Sequence, residues 1–258
     1  IALGTMSEIF SAVNFYTGRK LAVKRADDRQ GIGPYFEREI EVHEFLKGNL
    51  ETFPRGLAPL LDYFNDKKTK TLCLVYPLYE KTIEEKVFEE GLSFLKWKKL
   101  AKSLLEVQKT LASLGVIHRD ISPSNVMESR GEYFLIDLGV SSLVPQGEKS
   151  TVFDLPSHDL TSPEQLKKEP YDSKSDLWSI GMLLYFAATQ GCFLESRTKS
   201  KRLEELEGLS SEIIQSRLER ALPEEFSKKS KLLLQGLLVQ DPLLRLSADE
   251  ALQAFEEV

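Results

Sequence analysis

The sequence predicts an α+β protein in which a small β-rich region is followed by a larger helical region. Short runs rich in β-forming residues lie near the start, at 9–13 and 20–24. From residue 93 onward, apolar residues recur at three- and four-residue steps, which is the period of an α-helix. Residues 178–188 are apolar on every side and predict a helix buried in the core.

The elements of the β-rich region can be predicted one by one. Residues 14–18 contain Asn and Gly and predict a turn between the first two strands. Residues 35–46 carry apolar side chains on one helical face and predict a helix. Two further strands are predicted at 57–64 and 71–76, and residues 77–81 then connect this region to the helical one.

The helical region is predicted to begin with an N-cap at Ser93. A strand-and-turn interval follows at 116–143, then the buried helix at 175–189, then amphipathic helices to the end. The whole chain, 1–258, is thus expected to be one domain with lobes at about 1–78 and 79–258. Because the chain begins with Ile1 rather than methionine, we expect an excised domain whose first lobe is truncated at its start.

Composition excludes several classes of protein. The 258 residues are 41% hydrophobic with a net charge of −6, which is enough for a core and argues against a nucleic-acid binder. The two cysteines belong to no Cys/His cluster, so we expect neither a zinc site nor disulfides, and a cytoplasmic location. The longest apolar run falls short of the roughly 20 residues that span a bilayer, so no membrane span is expected.

The strongest chemical signal is a pair of short motifs in the interval at 116–143. Residues 118–125 read His-Arg-Asp-Ile-Ser-Pro-Ser-Asn, and residues 136–139 read Ile-Asp-Leu-Gly. These segments resemble the catalytic loop and the Mg²⁺-binding triplet of protein kinases. The resemblance implies that Asp120 accepts a hydrogen bond from the attacking hydroxyl, while Asn125 and Asp137 supply oxygens to Mg²⁺.

The rest of the chain carries other parts of the same pattern in the same order. Lys24 ends a strand, as the family's phosphate-anchoring Lys does, and Glu39 lies on the helix that should carry its partner. Residues 162–164 (Ser-Pro-Glu) resemble the triplet that closes the activation segment. Asp176 resembles the Asp that braces the catalytic loop, and Arg245 the late Arg that pairs with the closing Glu. The resemblance implies a two-lobed kinase fold that binds ATP and Mg²⁺ between the lobes.

The nucleotide site that this resemblance implies is weakest at its glycine-rich loop. Only Gly4 of the three usual glycines is present, with Ala2 and Ser7 at the flanking positions. Glycine there lets backbone N–H groups approach the phosphates closely. By resemblance, Ile9, Ala22 and Met127 enclose the adenine, Tyr76 is the gatekeeper, and the backbone of Pro77 and Tyr79 supplies hydrogen bonds. The nucleotide-binding set is Ala2, Gly4, Ser7, Ile9, Ala22, Lys24, Glu39, Tyr76, Pro77, Tyr79 and Met127.

Ser122 departs most from the pattern, because serine/threonine kinases carry a Lys there whose charge meets the γ-phosphate. The function expected is transfer of the γ-phosphate of ATP to Ser or Thr hydroxyls of protein substrates. One alternative is a pseudokinase that binds nucleotide or partners without turnover. Another is a small-molecule kinase, although those lack the closing triplet and the run that begins at Asp176. A protein substrate and a regulatory protein are the expected partners.

The activation segment, residues 137–164, holds several hydroxyls that a kinase would use for control. A phosphate on Ser150 or Thr151 would pair with Arg119 and order the segment. The alternative is that these hydroxyls are simply solvated. Ser157 takes the position of the Thr that touches the catalytic Asp in serine/threonine kinases, so its expected role is substrate positioning.

Overall fold

The N-terminal region of the chain forms an antiparallel sheet together with one long helix. The computed structural model describes residues 2–3, 7–26, 31, 33–153, 159–196 and 198–256. The sheet has the spatial order β1-β2-β3-β5-β4, and helix α1 follows β3 in the chain. The bounds are β1 Ala2–Leu3, β2 Ser7–Val13, β3 Lys20–Ala26, α1 Gly33–Asn49, β4 Asp62–Asn65 and β5 Leu72–Pro77.

The turn predicted at residues 14–18 is confirmed. Asn14 Oδ1 accepts hydrogen bonds from the backbone N–H groups of Tyr16 and Thr17, at 3.0 and 2.9 Å. Gly18 has a φ of 69°, a left-handed conformation that glycine adopts without steric cost. The turn therefore joins β2 to β3 in a fixed register.

The strand predicted at residues 57–64 is wrong over its first half. The structure forms a strand only at Asp62–Asn65. Leu57 and Ala58 are buried, and they pair instead with a distant strand: Ala58 N–H donates to Leu135 O at 2.9 Å. The backbone groups of this segment therefore bond to a strand that is distant in the sequence, and not to the N-terminal sheet as the local pattern predicted.

The C-terminal region is built mainly of helices, with four short strands in the predicted interval at 116–143 and one more at 81–82 that was not predicted. The helices are α2 Ile83–Glu90, α3 Phe94–Ser113, α4 Pro163–Lys167, α5 Lys174–Thr189, α6 Lys199–Glu207, α7 Ser211–Ala221, α8 Lys228–Leu237 and α9 Ala248–Glu256. The short strands are β6 Lys81–Thr82, β7 Val116–Ile117, β8 Val126–Ser129, β9 Glu132–Leu135 and β10 Ser142–Leu143. The predicted α+β order of the regions is confirmed.

Helix α2 was not predicted, although its start carries a recognisable signal. Thr82 Oγ1 accepts the N–H of Glu85 at 3.1 Å, and the Glu85 carboxylate accepts the N–H of Thr82 at 2.8 Å. This reciprocal capping box satisfies two backbone donors that the first helical turn leaves without partners. The pattern Thr-x-x-Glu at 82–85 would have located the helix.

The described residues include two hydrophobic clusters, and the larger one also takes in Val42 and Leu46 of α1. A small cluster in the N-terminal region contains Ala26, Phe36, Leu60 and Leu74. The large cluster fills the helical region around α3 and α5, and residues 175–185 of α5 are all buried, as predicted. The indole N–H of Trp97 donates to Leu184 O at 2.8 Å, which satisfies a buried donor and ties the two helices together.

Candidate active site

Lys24 lies at the centre of a partly buried charge cluster. Its Nζ contacts Glu39 Oε2 and Asp137 Oδ2, each at 2.8 Å. Burial by itself lowers the pKa of Lys24, but the carboxylates of Glu39 and Asp137 outweigh it and raise the pKa above the ordinary value. The ammonium therefore stays charged, and it is held between α1 and the segment that follows β9.

Asp176, near the start of α5, holds the backbone of the predicted catalytic loop. The Asp176 carboxylate accepts the backbone N–H groups of His118 and Arg119, at 2.8 and 2.9 Å. Burial raises the pKa of Asp176, and the contacts with His118 and Arg119 oppose that shift. Arg119 has a φ of 73°, a conformation that non-glycine residues adopt rarely and that functional sites often contain. The bracing role predicted for Asp176 is confirmed.

Both ring nitrogens of His118 lie within hydrogen-bond distance of neighbouring backbone groups. The backbone N–H of Asp120 can only donate, so His118 Nδ1 accepts it, at 3.3 Å. The ring proton is then on Nε2, which donates to Ile136 O at 3.1 Å. The His118 ring therefore links the loop that carries Asp120 to the segment that carries Asp137.

Asp120 and Asn125 form a closely spaced pair. Asn125 Nδ2 donates to Asp120 Oδ2 at 2.7 Å and to Asp120 O at 2.9 Å. A 3₁₀ turn, Pro123–Asn125, makes this possible, with Asn125 N–H donating to Ser122 O at 3.0 Å. Because the amide nitrogen of Asn125 faces Asp120, its amide oxygen is the group left to face a cation.

Asp137 is the second residue for which the sequence predicted a metal-binding role. Its φ is 66°, and its Oδ1 accepts the N–H of Gly139 at 3.2 Å while Oδ2 contacts Lys24. Burial raises the pKa of Asp137, but Lys24 lowers it more, so the carboxylate is ionised. Ile136 N–H donates to Asn125 O at 2.9 Å, which brings the residue before Asp137 against Asn125.

The side-chain oxygens of Asn125 and Asp137 are of the kind that suits a magnesium ion bound jointly by the protein and by nucleotide phosphates. Among the described residues, no three His, Cys, Asp or Glu side chains cluster into a metal site of their own. Mg²⁺ is commonly held by one or two carboxylates together with substrate phosphates. Asn125 and Asp137 would supply the protein's share of such a ligand set.

The other nucleotide residues predicted from the sequence lie on the strands around Lys24. Ile9 pairs with Lys24 across β2 and β3, and Ala22 pairs with Tyr76 across β3 and β5. Tyr79 stacks on Phe134 with ring centroids 4.5 Å apart, a contact that no sequence pattern had indicated. These described candidates are half-buried: Ser7, Ile9, Ala22, Tyr76, Pro77, Tyr79 and Met127. Ala2 pairs with Ile9 in the sheet, and Gly4 lies outside the described residues.

The activation segment is anchored through the carbonyl of Val152. Arg119 Nη2 donates to Val152 O at 3.0 Å, and the hydroxyl of Tyr171 donates to the same oxygen at 2.7 Å. Ser150 is buried and exchanges backbone hydrogen bonds with Tyr171, whereas Thr151 is exposed. The anchoring Tyr171 was missed by the sequence reasoning. Ser157, predicted to position substrate, lies outside the described residues.

The end of the activation segment is fixed by the ion pair that the sequence predicted. Arg245 Nη1 and Nη2 donate to Glu164 Oε1 and Oε2, at 2.7 and 3.0 Å. Both side chains are buried. Burial by itself raises the pKa of Glu164. The contact with Arg245 lowers it by more than burial raises it, so the pKa of Glu164 is below its ordinary value. A planar two-point contact of this kind fixes orientation as well as distance.

The fold and these contacts are those of the protein kinases, and sequence comparison agrees. The family model described as the protein kinase domain matches residues 1–255. The chain therefore belongs to the protein kinase family. Among the described residues, no helix has both the length and the apolar character to cross a membrane.

Individual relatives include serine/threonine kinases. A probable cyclin-dependent serine/threonine-protein kinase of Dictyostelium discoideum is 29% identical over 224 residues, 77% of this chain and 35% of that protein. A probable serine/threonine-protein kinase of the same organism is 32% identical over 187 residues, 71% of this chain and 29% of that protein. Aurora kinase A-B of Xenopus laevis is 28% identical over 237 residues, 90% of this chain and 53% of that protein. The chain thus spans about a third to about half of the length of these relatives.

Proposed function

We propose that this domain transfers the γ-phosphate of ATP to serine or threonine hydroxyls of protein substrates. The observation that carries the proposal is the position of Lys24 Nζ, 2.8 Å from both Glu39 and Asp137. A lysine held in this way, between a helix carboxylate and a metal-binding carboxylate, is what a kinase needs to hold phosphates. Sequence similarity to proteins named as serine/threonine kinases supports serine or threonine as the phosphate acceptor.

The proposed roles follow from the chemistry of each group. Lys24 binds the α- and β-phosphates, and Glu39 keeps it extended. Asp120 accepts a hydrogen bond from the attacking hydroxyl and orients it in line with the γ-phosphate. Asn125 and Asp137 hold Mg²⁺, which when bound neutralises charge on the phosphates.

The nucleotide is proposed to lie between lobes at about 1–78 and 79–258. Its adenine would pack between Ile9 and Ala22 above and Met127 below. The carbonyl of Pro77 and the N–H of Tyr79 would supply its hydrogen bonds, since proline has no N–H to donate. Tyr76 is the proposed gatekeeper. The backbone and small side chains of Ala2, Gly4 and Ser7 would cover the phosphates. A cytoplasmic location and a regulatory protein partner stay predictions.

The test is a phosphotransfer assay with radiolabelled ATP, Mg²⁺ and generic protein substrates, followed by phosphoamino-acid analysis. We expect label on serine or threonine. Asp120→Asn should abolish transfer and leave ATP binding nearly unchanged, because the side chain keeps its shape and loses its charge. Label on tyrosine only, or equal transfer by Asp120→Asn, would contradict the proposal.

A pseudokinase scaffold is the second candidate, and Ser122 favours it. Its hydroxyl lies 3.0 Å from Ser124 Oγ and cannot supply the charge of the usual Lys. Nucleotide binding by a chain that transfers no phosphate to any protein would establish the scaffold. Transfer to small-molecule alcohols, with no transfer to proteins, would instead indicate a small-molecule kinase.

A further inference from the structure

The buried carboxylate of Glu39 has a different partner on each oxygen. Oε2 contacts Lys24 Nζ at 2.8 Å, and Oε1 accepts the hydroxyl of Tyr76 at 2.6 Å. Glu39 is only 1% exposed. Because a buried carboxylate needs hydrogen-bond donors on both oxygens, the Tyr76 hydroxyl satisfies the oxygen that Lys24 leaves.

The sheet fixes where this hydroxyl lies. Tyr76 is on β5 and pairs with Ala22 of β3, two residues before Lys24 on that strand. The two donors to Glu39 are therefore set in place by one strand register. Burial and the Glu39 charge raise the pKa of Tyr76 well above its usual value, so the hydroxyl keeps its proton and donates.

His43 attaches the same part of α1 to its surroundings at a second point. Its Nδ1 lies 2.8 Å from Glu39 O, and its Nε2 lies 3.1 Å from Ala58 O. Its ring is buried and lies 5.9 Å from the ring of Tyr76. The buried ring of His43 thus lies between the turn of α1 that carries Glu39 and the backbone of Ala58.

We propose that Tyr76 is a positioning residue for phosphate transfer, acting through Glu39. Its hydroxyl fixes the carboxylate in the orientation that presents Oε2 to Lys24, so that the Lys24–Glu39 pair is assembled before nucleotide arrives. The consequence for catalysis rests on the proposed function, and the consequence for α1 does not. If Tyr76 only lined the adenine pocket, removing its hydroxyl would not change the hydrogen exchange of α1.

The experiment compares Tyr76→Phe with Tyr63→Phe, which removes an exposed hydroxyl from the neighbouring strand β4. The first readout is hydrogen exchange of the α1 amides without nucleotide. We expect them to exchange about tenfold faster in Tyr76→Phe, the factor for one lost hydrogen bond to a buried charge. The second readout is steady-state kinetics. We expect kcat to fall about tenfold and KM for the protein substrate to stay unchanged, with Tyr63→Phe matching wild type in both readouts.

A double-mutant cycle separates positioning from packing. If Tyr76 acts through Glu39, then Tyr76→Phe should change α1 exchange much less in a Glu39→Ala background. An undiminished effect in that background, or α1 exchange equal to that of Tyr63→Phe, would overturn the inference. If the wild-type chain transfers no phosphate, the proposed function fails, and the exchange cycle still decides the role of Tyr76.

Discussion

Replacing Glu164 by Gln should destabilise the domain far more than an ordinary loss of one charge. The substitution preserves shape but places an NH₂ group against the guanidinium of Arg245, donor against donor. It also leaves the positive charge of Arg245 buried without a counter-ion. Arg245 is 0% exposed and Glu164 is 3% exposed, so water cannot take over the lost contact.

The magnitude follows from the geometry. Breaking a buried ion pair by removing one partner typically costs about 3–5 kcal/mol. Arg245 keeps hydrogen bonds to three carbonyls, those of Val239, Lys174 and Gln240, at 2.8, 2.6 and 3.0 Å. Those bonds spread the charge but do not neutralise it, so we expect a loss of about 3 kcal/mol in the free energy of unfolding.

Urea unfolding of the nucleotide-free domain measures this loss, with Glu106→Gln as the matched control. Glu106 pairs with Lys102 on α3 at 3.8 Å, and both side chains are more than half exposed. Such a surface pair is worth no more than about 0.5 kcal/mol. If Glu164→Gln costs as little as Glu106→Gln, the three carbonyls are sufficient for Arg245 and the reasoning is refuted.

The pH dependence provides an independent check. The pKa of Glu164 is below its ordinary value of 4.5 in the folded chain. A carboxyl with a lowered folded pKa stabilises the fold above its unfolded pKa, and this stabilisation is lost as pH falls through the folded pKa. The difference between wild type and Glu164→Gln should therefore be full at neutral pH and shrink only below about pH 4.5.

Three further predictions concern the phosphates and the activation segment. Asp137→Asn should remove most of the Mg²⁺-dependent rise in melting temperature that ATP produces, and an unchanged rise would contradict the metal assignment. Ser122→Lys should raise turnover, by up to about 10²-fold, because it restores a charge at the transferring phosphate. Unchanged or lower turnover would mean that another cation already acts there. A Ser150→Ala, Thr151→Ala double variant should keep wild-type turnover, because Arg119 is bonded to backbone carbonyls, and a large loss would indicate phospho-control.

Local chemistry made much of the site predictable from the sequence. Asp120 and Asn125 lie five residues apart, so the short loop between them can bring the two side chains into contact. The N-cap at Ser93 was likewise predictable, since its hydroxyl accepts the N–H of Lys96, three residues on. Patterns within one turn or one loop depend little on the rest of the fold.

Contacts between distant elements were harder to predict. Tyr76 and Glu39 are 37 residues apart, and their hydrogen bond depends on how α1 lies against β5. Leu57 was predicted to lie in a strand of the N-terminal sheet, yet its backbone neighbours pair with Leu135 of β9. A single sequence gives local propensities, while the partner of a backbone or side-chain group is chosen by tertiary packing.

Three departures from the kinase pattern are predicted to lie at the phosphates, and this prediction indicates which kinetic constant they should change. Ala2, Ser7 and Ser122 all belong to the predicted phosphate site, and Ser122 contributes its backbone carbonyl to the turn of the catalytic loop. Asp176 keeps that loop in place through backbone amides, which do not depend on the side chain at 122. The Ser122 side chain should therefore affect charge at the γ-phosphate without moving Asp120. Since such a charge acts most strongly on the transition state, its absence should lower kcat more than it raises KM for ATP.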